Sequence, residues 1–321
     1  MKIAIATPAA ASSRTGNRHT AQRYASFLRG AGHRVRVATA WDGARCDVLI
    51  ALHALKSHSS IARYRAANPA GPLIVVLTGT DLYRDIRTHA DAQASLDMAT
   101  LLIVLQERGF DELAARTRRR TRVIYQSSNA TGPAMPPRRK FRLAVLGHLR
   151  DEKDPFRAAH ALASLRNMPD LEVVHLGDAL SPAMALEARR LMRADPRYRW
   201  LGGLAHSRAL AWLRRSHALV VSSRMEGGAN VICEAARIGV PVLASRIPGN
   251  VGMLSGGYPG FYAFGDTRAL ARLVARARRD QVFYGRLQRM ATMRGALFAP
   301  AAERRGVLSA VREAALISRA A

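Results

Sequence analysis

The chain has 321 residues, 49% of them hydrophobic, enough to bury the cores of two ordinary domains and to exclude general disorder. Its formal charge of +27 rests on 46 arginines, since only Lys2, Lys56, Lys140 and Lys153 among the 50 basic residues are lysine. Cys46 and Cys233, the only cysteines, exclude a disulfide framework and a cysteine-built zinc site, which suits a reducing cytoplasm.

The first apolar run, KIAIAT (2–7), reads as a buried strand rather than the core of a signal peptide. A helix over 19–33 follows, stopped by Gly32. Further strands are predicted at 34–39, 46–53, 72–78, 100–106 and 121–126. Continuous apolar runs separated by helices mean a parallel sheet covered on both faces. Ser, Pro, Gly and charge over 127–140 mark a linker. A second α/β unit begins with strands at 141–149 and 171–178 and continues at 198–203, 217–223, 241–246 and 260–264. A terminal helix over 299–318 comes behind Pro300. The expected fold class is therefore α/β, with two Rossmann-like doubly wound domains facing a central cleft. The expected bounds are 1–138 and 139–298, with 299–321 as a terminal helix crossing back to the first domain. No apolar run approaches the ~18 residues of a spanning helix, so a soluble, cytoplasmic protein is expected.

Most arginines interleave with inward Ala and Leu, as in RALARLVARARRD (268–280), and read as solvated helix faces. No RNA-binding aromatic pattern or cysteine-histidine finger accompanies them, so no nucleic-acid partner is expected. The basic 268–279 segment leaves a membrane-surface role open, though no stable membrane association is expected.

The most informative stretch is SSRMEGGANVICEAARIGVPVLAS (222–245). HALVVSS (217–223) is a strand, RMEGGAN the turn after it, and VICEAARI a helix ended by Gly239 and Pro241. Gly227 and Gly228 are expected to take positive φ and to let backbone approach a ligand. Amides near Ala229, Asn230 and Val231 then make a seat for a diphosphate. Glu226 and Glu234 would repel phosphate, so sugar hydroxyls are their natural partners, Glu234 for a ribose and Glu226 for a hexose. Residue chemistry alone leaves open a plainer reading, with Glu234 a helix-dipole partner and Glu226 a solvated loop residue.

EGGANVICEAARIGVPVLAS resembles the segment of two glutamates eight apart in the group 1 glycosyltransferases, whose GT-B fold has two domains. Glu226, Gly227, Asn230, Val231, Glu234, Ala235, Gly239, Pro241 and Val242 carry the match. LAVLGHLRDEKDP (143–155) is similar to the family's GRLxxEKG turn, whose Arg and Lys hold the donor diphosphate; Lys153 matches directly. His148 stands at the family's arginine, so His148 and Arg150 are alternatives for that role. VVHLGD (173–178) and WLGGLAHSRALAWLRRSHALVVSS (200–223), with Gly202, resemble the base-binding strand and the helix leading to the glutamate loop. TPAAASSRTGNRHTAQRY (7–24) resembles the family's glycine loop, placing Gly16 at the donor and Arg14 and Asn17 near the acceptor. LTGTDLYRD (77–85) is similar to the family's HGxD segment with Thr78 in place of histidine, so Thr78, Gly79, Thr80, Asp81 and the nearby Lys56 join the acceptor set.

The two N-terminal segments together resemble the selenosugar synthases (SenB) of selenoneine biosynthesis. That resemblance implies hexose transfer from UDP-N-acetylglucosamine or UDP-glucose to selenium supplied by selenophosphate. Another UDP-sugar glycosyltransferase, with a sugar, lipid or small-molecule acceptor, is the alternative. Lys153, Arg150 and Glu226 are the expected catalytic groups, and the UDP-sugar is a co-substrate rather than a cofactor. No metal is expected: Asp151, Glu152 and Asp154 form no metal pair, with Lys153 standing among them.

Overall fold

A computed structural model describes residues 1–9 and 16–320; Arg14 lies outside the described residues. Two compact units divide the chain, Met1–Gln126 with Pro300–Ala321, and Ser127–Ala299. The stretch 127–138, expected with the first domain, packs on the second unit. There the Ala134 amide donates to the Ile238 carbonyl (3.0 Å) and the Met135 amide to that of Arg214 (2.7 Å).

In the first unit, β1 (Lys2–Ala6), β2 (Arg34–Ala38), β3 (Val48–Leu52), β4 (Leu73–Leu77), β5 (Leu101–Val104) and β6 (Thr121–Val123) form one parallel sheet. Their order is β2-β1-β3-β4-β5-β6. Strand side chains alternate between faces, and here both faces are covered. Ile3, Ile5, Ile50 and Leu52 meet Tyr24 and Leu28 of the helix Gly16–Arg29, and Val307, Ala310 and Val311 of the terminal helix Pro300–Ala320. Ala4, Leu49 and Ala51 meet Ile61 and Tyr64 of the helix His58–Ala67 on the other side. This is why β3 reads VLIAL without a polar residue.

In the second unit, β7 (Phe141–Leu146), β8 (Leu171–Leu176), β9 (Tyr198–Trp200), β10 (Ala218–Val221), β11 (Val242–Ser245) and β12 (Phe261–Tyr262) run in the order β12-β11-β10-β7-β8-β9, all parallel. The strand order reverses between β7 and β10. Open parallel sheets bind ligands at the carboxyl ends of strands at such a reversal. Several strands are shorter than their apolar runs. The expected strand at 121–126 ends at Val123, that at 198–203 stops at Trp200, ahead of Gly202 at φ 67°, and that at 260–264 pairs over only two residues. Among the described residues, no helix is long and apolar enough to cross a membrane.

Candidate functional site

The carboxyl ends of β7 and β10 meet in a pocket lined by Gly147, His148, Lys153, Ser223, Glu226 and Val231, among others. After β7 the chain makes one tight turn, Asp151–Lys153, and leaves it through Asp154 in the left-handed region (φ 44°). Ser222 at the end of β10 secures that turn, its hydroxyl donating to the carbonyls of Asp154 (2.7 Å) and Lys153 (3.2 Å). The Arg224 amide adds a bond to the Glu152 carbonyl (2.9 Å). Lys153 and Glu226, far apart in sequence, are thereby brought into contact: the ammonium donates to Glu226 Oε1. The Ser223 hydroxyl donates to the same oxygen at 2.6 Å. Oε1 is thus the anchored oxygen of a nearly buried carboxylate, and among the described residues Oε2 has no hydrogen-bond partner.

Glu226 is followed within one turn by the helix Asn230–Ile238, which Gly239 closes at φ 75°. Ala229 stands at its cap position and has no side chain with which to satisfy the leading amides. The first helical hydrogen bonds return from Ile232 and Cys233 to the Ala229 carbonyl (2.9 and 3.4 Å). Glu234 lies one turn on and is 8% exposed. Sequence reasoning missed its partner: His206, at the start of the helix His206–Arg214, holds Glu234 Oε1 through Nε2 at 2.8 Å. That hydrogen bond raises the His206 pKa above its ordinary value. Only the position of His206 at a helix start after GGLA hinted at it.

The glycine pair behaves differently from expectation. Neither Gly227 nor Gly228 takes positive φ; near the site, that conformation falls to Gly177, Gly202 and Asp154. The loop is tightened instead by Gly249, where a Cβ would sit 1.9 Å from the Glu226 carbonyl oxygen. A close approach of the next element replaces the strained turn, and a sequence motif centred on 226–234 does not reveal it.

Of the two alternatives for the basic contact, His148 lines the pocket. Its Nδ1 accepts from the Asp178 amide (3.0 Å), which in the neutral ring puts the proton on Nε2. The Arg150 side chain is 46% exposed and lies 3.9 Å from Glu152. Gly202, at the end of the 198–203 run, accepts the Gly177 amide on its carbonyl (2.8 Å). Another histidine that sequence reasoning passed over, His175, is fully buried on β8 and also lines the pocket. It bonds the Gly147 carbonyl (3.3 Å) and the Tyr198 hydroxyl (3.0 Å). A carbonyl only accepts, so Nε2 carries the proton, Nδ1 accepts from the phenol, and burial pushes the pKa down to about 4.

In the first unit, Gly16 opens its helix and Asn17 is half-buried. Thr78, Gly79, Thr80 and Asp81 form the turn after β4. Asp81 is wholly buried, and its carboxylate accepts the amides of Thr78 (2.9 Å), Gly79 (2.8 Å) and Ala54 (3.0 Å), so it ties the turns after β3 and β4 together. Beside it stands His53, also buried and held at φ 74°. The Lys56 amide donates to its Nδ1 (3.2 Å), so Nε2 carries the proton that meets the Thr80 hydroxyl (2.9 Å). The Lys56 side chain itself is exposed.

Residues 140–280 match the family described as Glycosyl transferases group 1. A relative, the Glycosyltransferase 1 domain-containing protein 1 of Xenopus tropicalis, is 26% identical over 267 residues, spanning 74% of this chain and 76% of that one. Among solved structures, Alr3699/HepE of Anabaena in complex with UDP and glucose is similar with a TM-score of 0.76 at 15% identity, over 97% of this chain and 99% of that one. A sucrose-phosphate synthase of Thermosynechococcus elongatus is similar with a TM-score of 0.75 at 18% identity, over 97% and 98%. The fold is accordingly the GT-B fold of glycosyltransferases, with two Rossmann-like parallel-sheet units.

Proposed function

We propose that this protein is a glycosyltransferase that moves a hexose from a UDP-sugar, and that the ends of β7 and β10 form its donor site. One observation carries the reading: Lys153 and the nearly buried Glu226 meet at the strand-order reversal of the second sheet, ahead of a helix whose cap residue, Ala229, offers no capping side chain and which carries a second nearly buried carboxylate, Glu234. An ammonium has three donors. With one on Glu226, Lys153 keeps two for a diphosphate, which the leading end of the helix also attracts. Glu226 Oε2 then accepts a hexose hydroxyl, and Glu234 accepts the ribose. Fixed donors aimed at the leaving diphosphate stabilise charge as the C1–O bond breaks, a task that a metal performs elsewhere. His148 Nε2 and Arg150 are the further cations or donors available to it. The UDP, glucose and UDP-glucose complexes of Alr3699/HepE support a UDP-sugar as the donor.

For the acceptor, the proposal is selenium from selenophosphate. Selenium attacks C1 and forms C1–Se while UDP leaves with the electron pair of the broken C1–O bond; the selenium then still bears the phosphoryl group, and water must break the Se–P bond, releasing phosphate, to give the free selenosugar. What supports this is the likeness of segments 7–24 and 77–85 to selenosugar synthases, and the exposed Lys56 beside the Thr78–Asp81 turn. A soft, easily ionised nucleophile also needs little general-base help. The test is to incubate the protein with several UDP-sugars and selenophosphate and to follow UDP release and selenium-bearing hexose by mass spectrometry. Both products are expected. UDP release with hydroxyl acceptors alone would overturn the selenium assignment and leave the transferase reading. No UDP binding at all would overturn both.

A further inference from the structure

Resting on the donor-site reading, we propose that His206 is a positioning residue that sets the ribose specificity of Glu234. A cis-diol needs two acceptor positions whose spacing and plane are fixed in advance. Glu234 projects from the helix Asn230–Ile238 on a flexible side chain, and one-tenth exposure leaves little water to hold its carboxylate in one orientation. His206 supplies that orientation. Its Nε2 donates to Oε1 at 2.8 Å, fixing the carboxylate plane while leaving Oε2 and the second lone pair of Oε1 for two hydroxyls. The bond is charge-assisted, since Glu234 favours the protonated ring.

The fold delivers this partner from a separate element. The helix His206–Arg214 packs against the helix Asn230–Ile238, and its first residue overhangs the second turn of the latter. The His206 side chain is 66% exposed, so it is not part of the core and its replacement leaves the packing of both helices intact. His206 is the first helical residue after the cap position Ala205, so it does not cap the helix, and the side-chain bond it makes is to Glu234. Its use is therefore to be sought at Glu234.

The experiment compares UDP with 2′-deoxy-UDP by calorimetric titration of the full chain, in the wild type and in His206→Ala, His206→Gln and Glu234→Gln. A hydroxyl bound to a charged acceptor gives the wild type a preference for UDP of roughly tenfold to a hundredfold. His206→Ala is expected to bind UDP several-fold more weakly and 2′-deoxy-UDP, which keeps one of the two hydroxyls, less so, so that the preference shrinks. His206→Gln, which still offers an N–H, recovers part of it. Loss of mere stability would weaken both ligands alike and leave their ratio alone. A wild-type preference that survives undiminished in His206→Ala overturns the inference and spares the donor-site reading. The absence of any preference in the wild type, or of UDP binding, overturns that reading and the inference with it.

Discussion

Lys153 and Glu226 neutralise one another before any ligand arrives, and this decides how each will respond to mutation. Lys153→Ala removes the donors left for a diphosphate and also frees Glu226, so turnover is expected to fall by about 100-fold or more while KM changes less. Equal losses in kcat and in UDP affinity would count against a contact that strengthens as the bond breaks. Gly249 is the residue whose importance no chemical motif announces. A methyl group 1.9 Å from the Glu226 carbonyl cannot be accommodated without moving the loop, so Gly249→Ala is expected to cost about 1–3 kcal/mol in unfolding free energy and to weaken UDP binding. Wild-type stability and affinity in that variant would show the contact to be soft. His53 carries backbone strain of a different kind, since asparagine tolerates left-handed φ better than alanine. His53→Asn should accordingly be the milder substitution and His53→Ala the more destabilising, a ranking readable from denaturant midpoints.

At the scale of elements, the donor site depends on the β7–β8 pair. His175 on β8 donates to the carbonyl of Gly147, where β7 opens into the pocket, and it does so as a neutral ring. The unfolded chain takes up a proton near the ordinary histidine value of about 6.5, whereas the folded chain resists until about 4. Stability is therefore full above the unfolded value and is lost as pH falls below it, by up to ~1.4 kcal/mol per pH unit from this residue. Urea unfolding at pH 7 and pH 5 should show the loss, and His175→Gln should flatten it. The terminal helix is the second decisive element. Val307, Ala310 and Val311 lie in the core of the first unit, and Glu303, buried, pairs with Arg23 of its first helix at 3.0 Å. Removing residues 300–321 strips one face of that sheet, so the truncated chain is expected to lose cooperative unfolding of the first unit. Unchanged thermal melting would refute that placement.

Across the whole molecule, the arginine excess has a use that the sequence conceals. Interleaving with Ala and Leu suggested solvated faces, but several guanidinium groups reach back to backbone carbonyls and tie neighbouring segments together. Arg65 bonds the carbonyls of Met98, Pro69 and Gly71; Arg120 those of Ala99 and Leu96; Arg197 those of Leu165 and Leu162 as well as Asp195. A planar fork with five donors can bridge several chain ends, whereas an ammonium is a single point. Arg197→Lys is expected to cost about 1–3 kcal/mol despite retaining the charge. The same replacement at an exposed, solvated arginine such as Arg272 should cost less than ~0.5 kcal/mol.

Strand-forming runs, the linker composition of 127–140 and the two-glutamate segment were legible in the amino-acid order, because apolar periodicity and turn chemistry are local properties; that 127–138 packs on the second unit rather than the first was not. Glu226, Glu234 and Lys153 could be singled out for the same reason, through spacing within short segments. The chain order alone was silent on His206 beneath Glu234, Gly249 against Glu226, His175 behind Gly147 and His53 beside Thr80. Each of those contacts joins elements separated by 23 or more residues, and its distance is set by how strands order in a sheet and how helices pack over it. Local sequence names the groups able to do chemistry; packing decides which of them touch, and therefore which lone pairs and protons remain for a ligand.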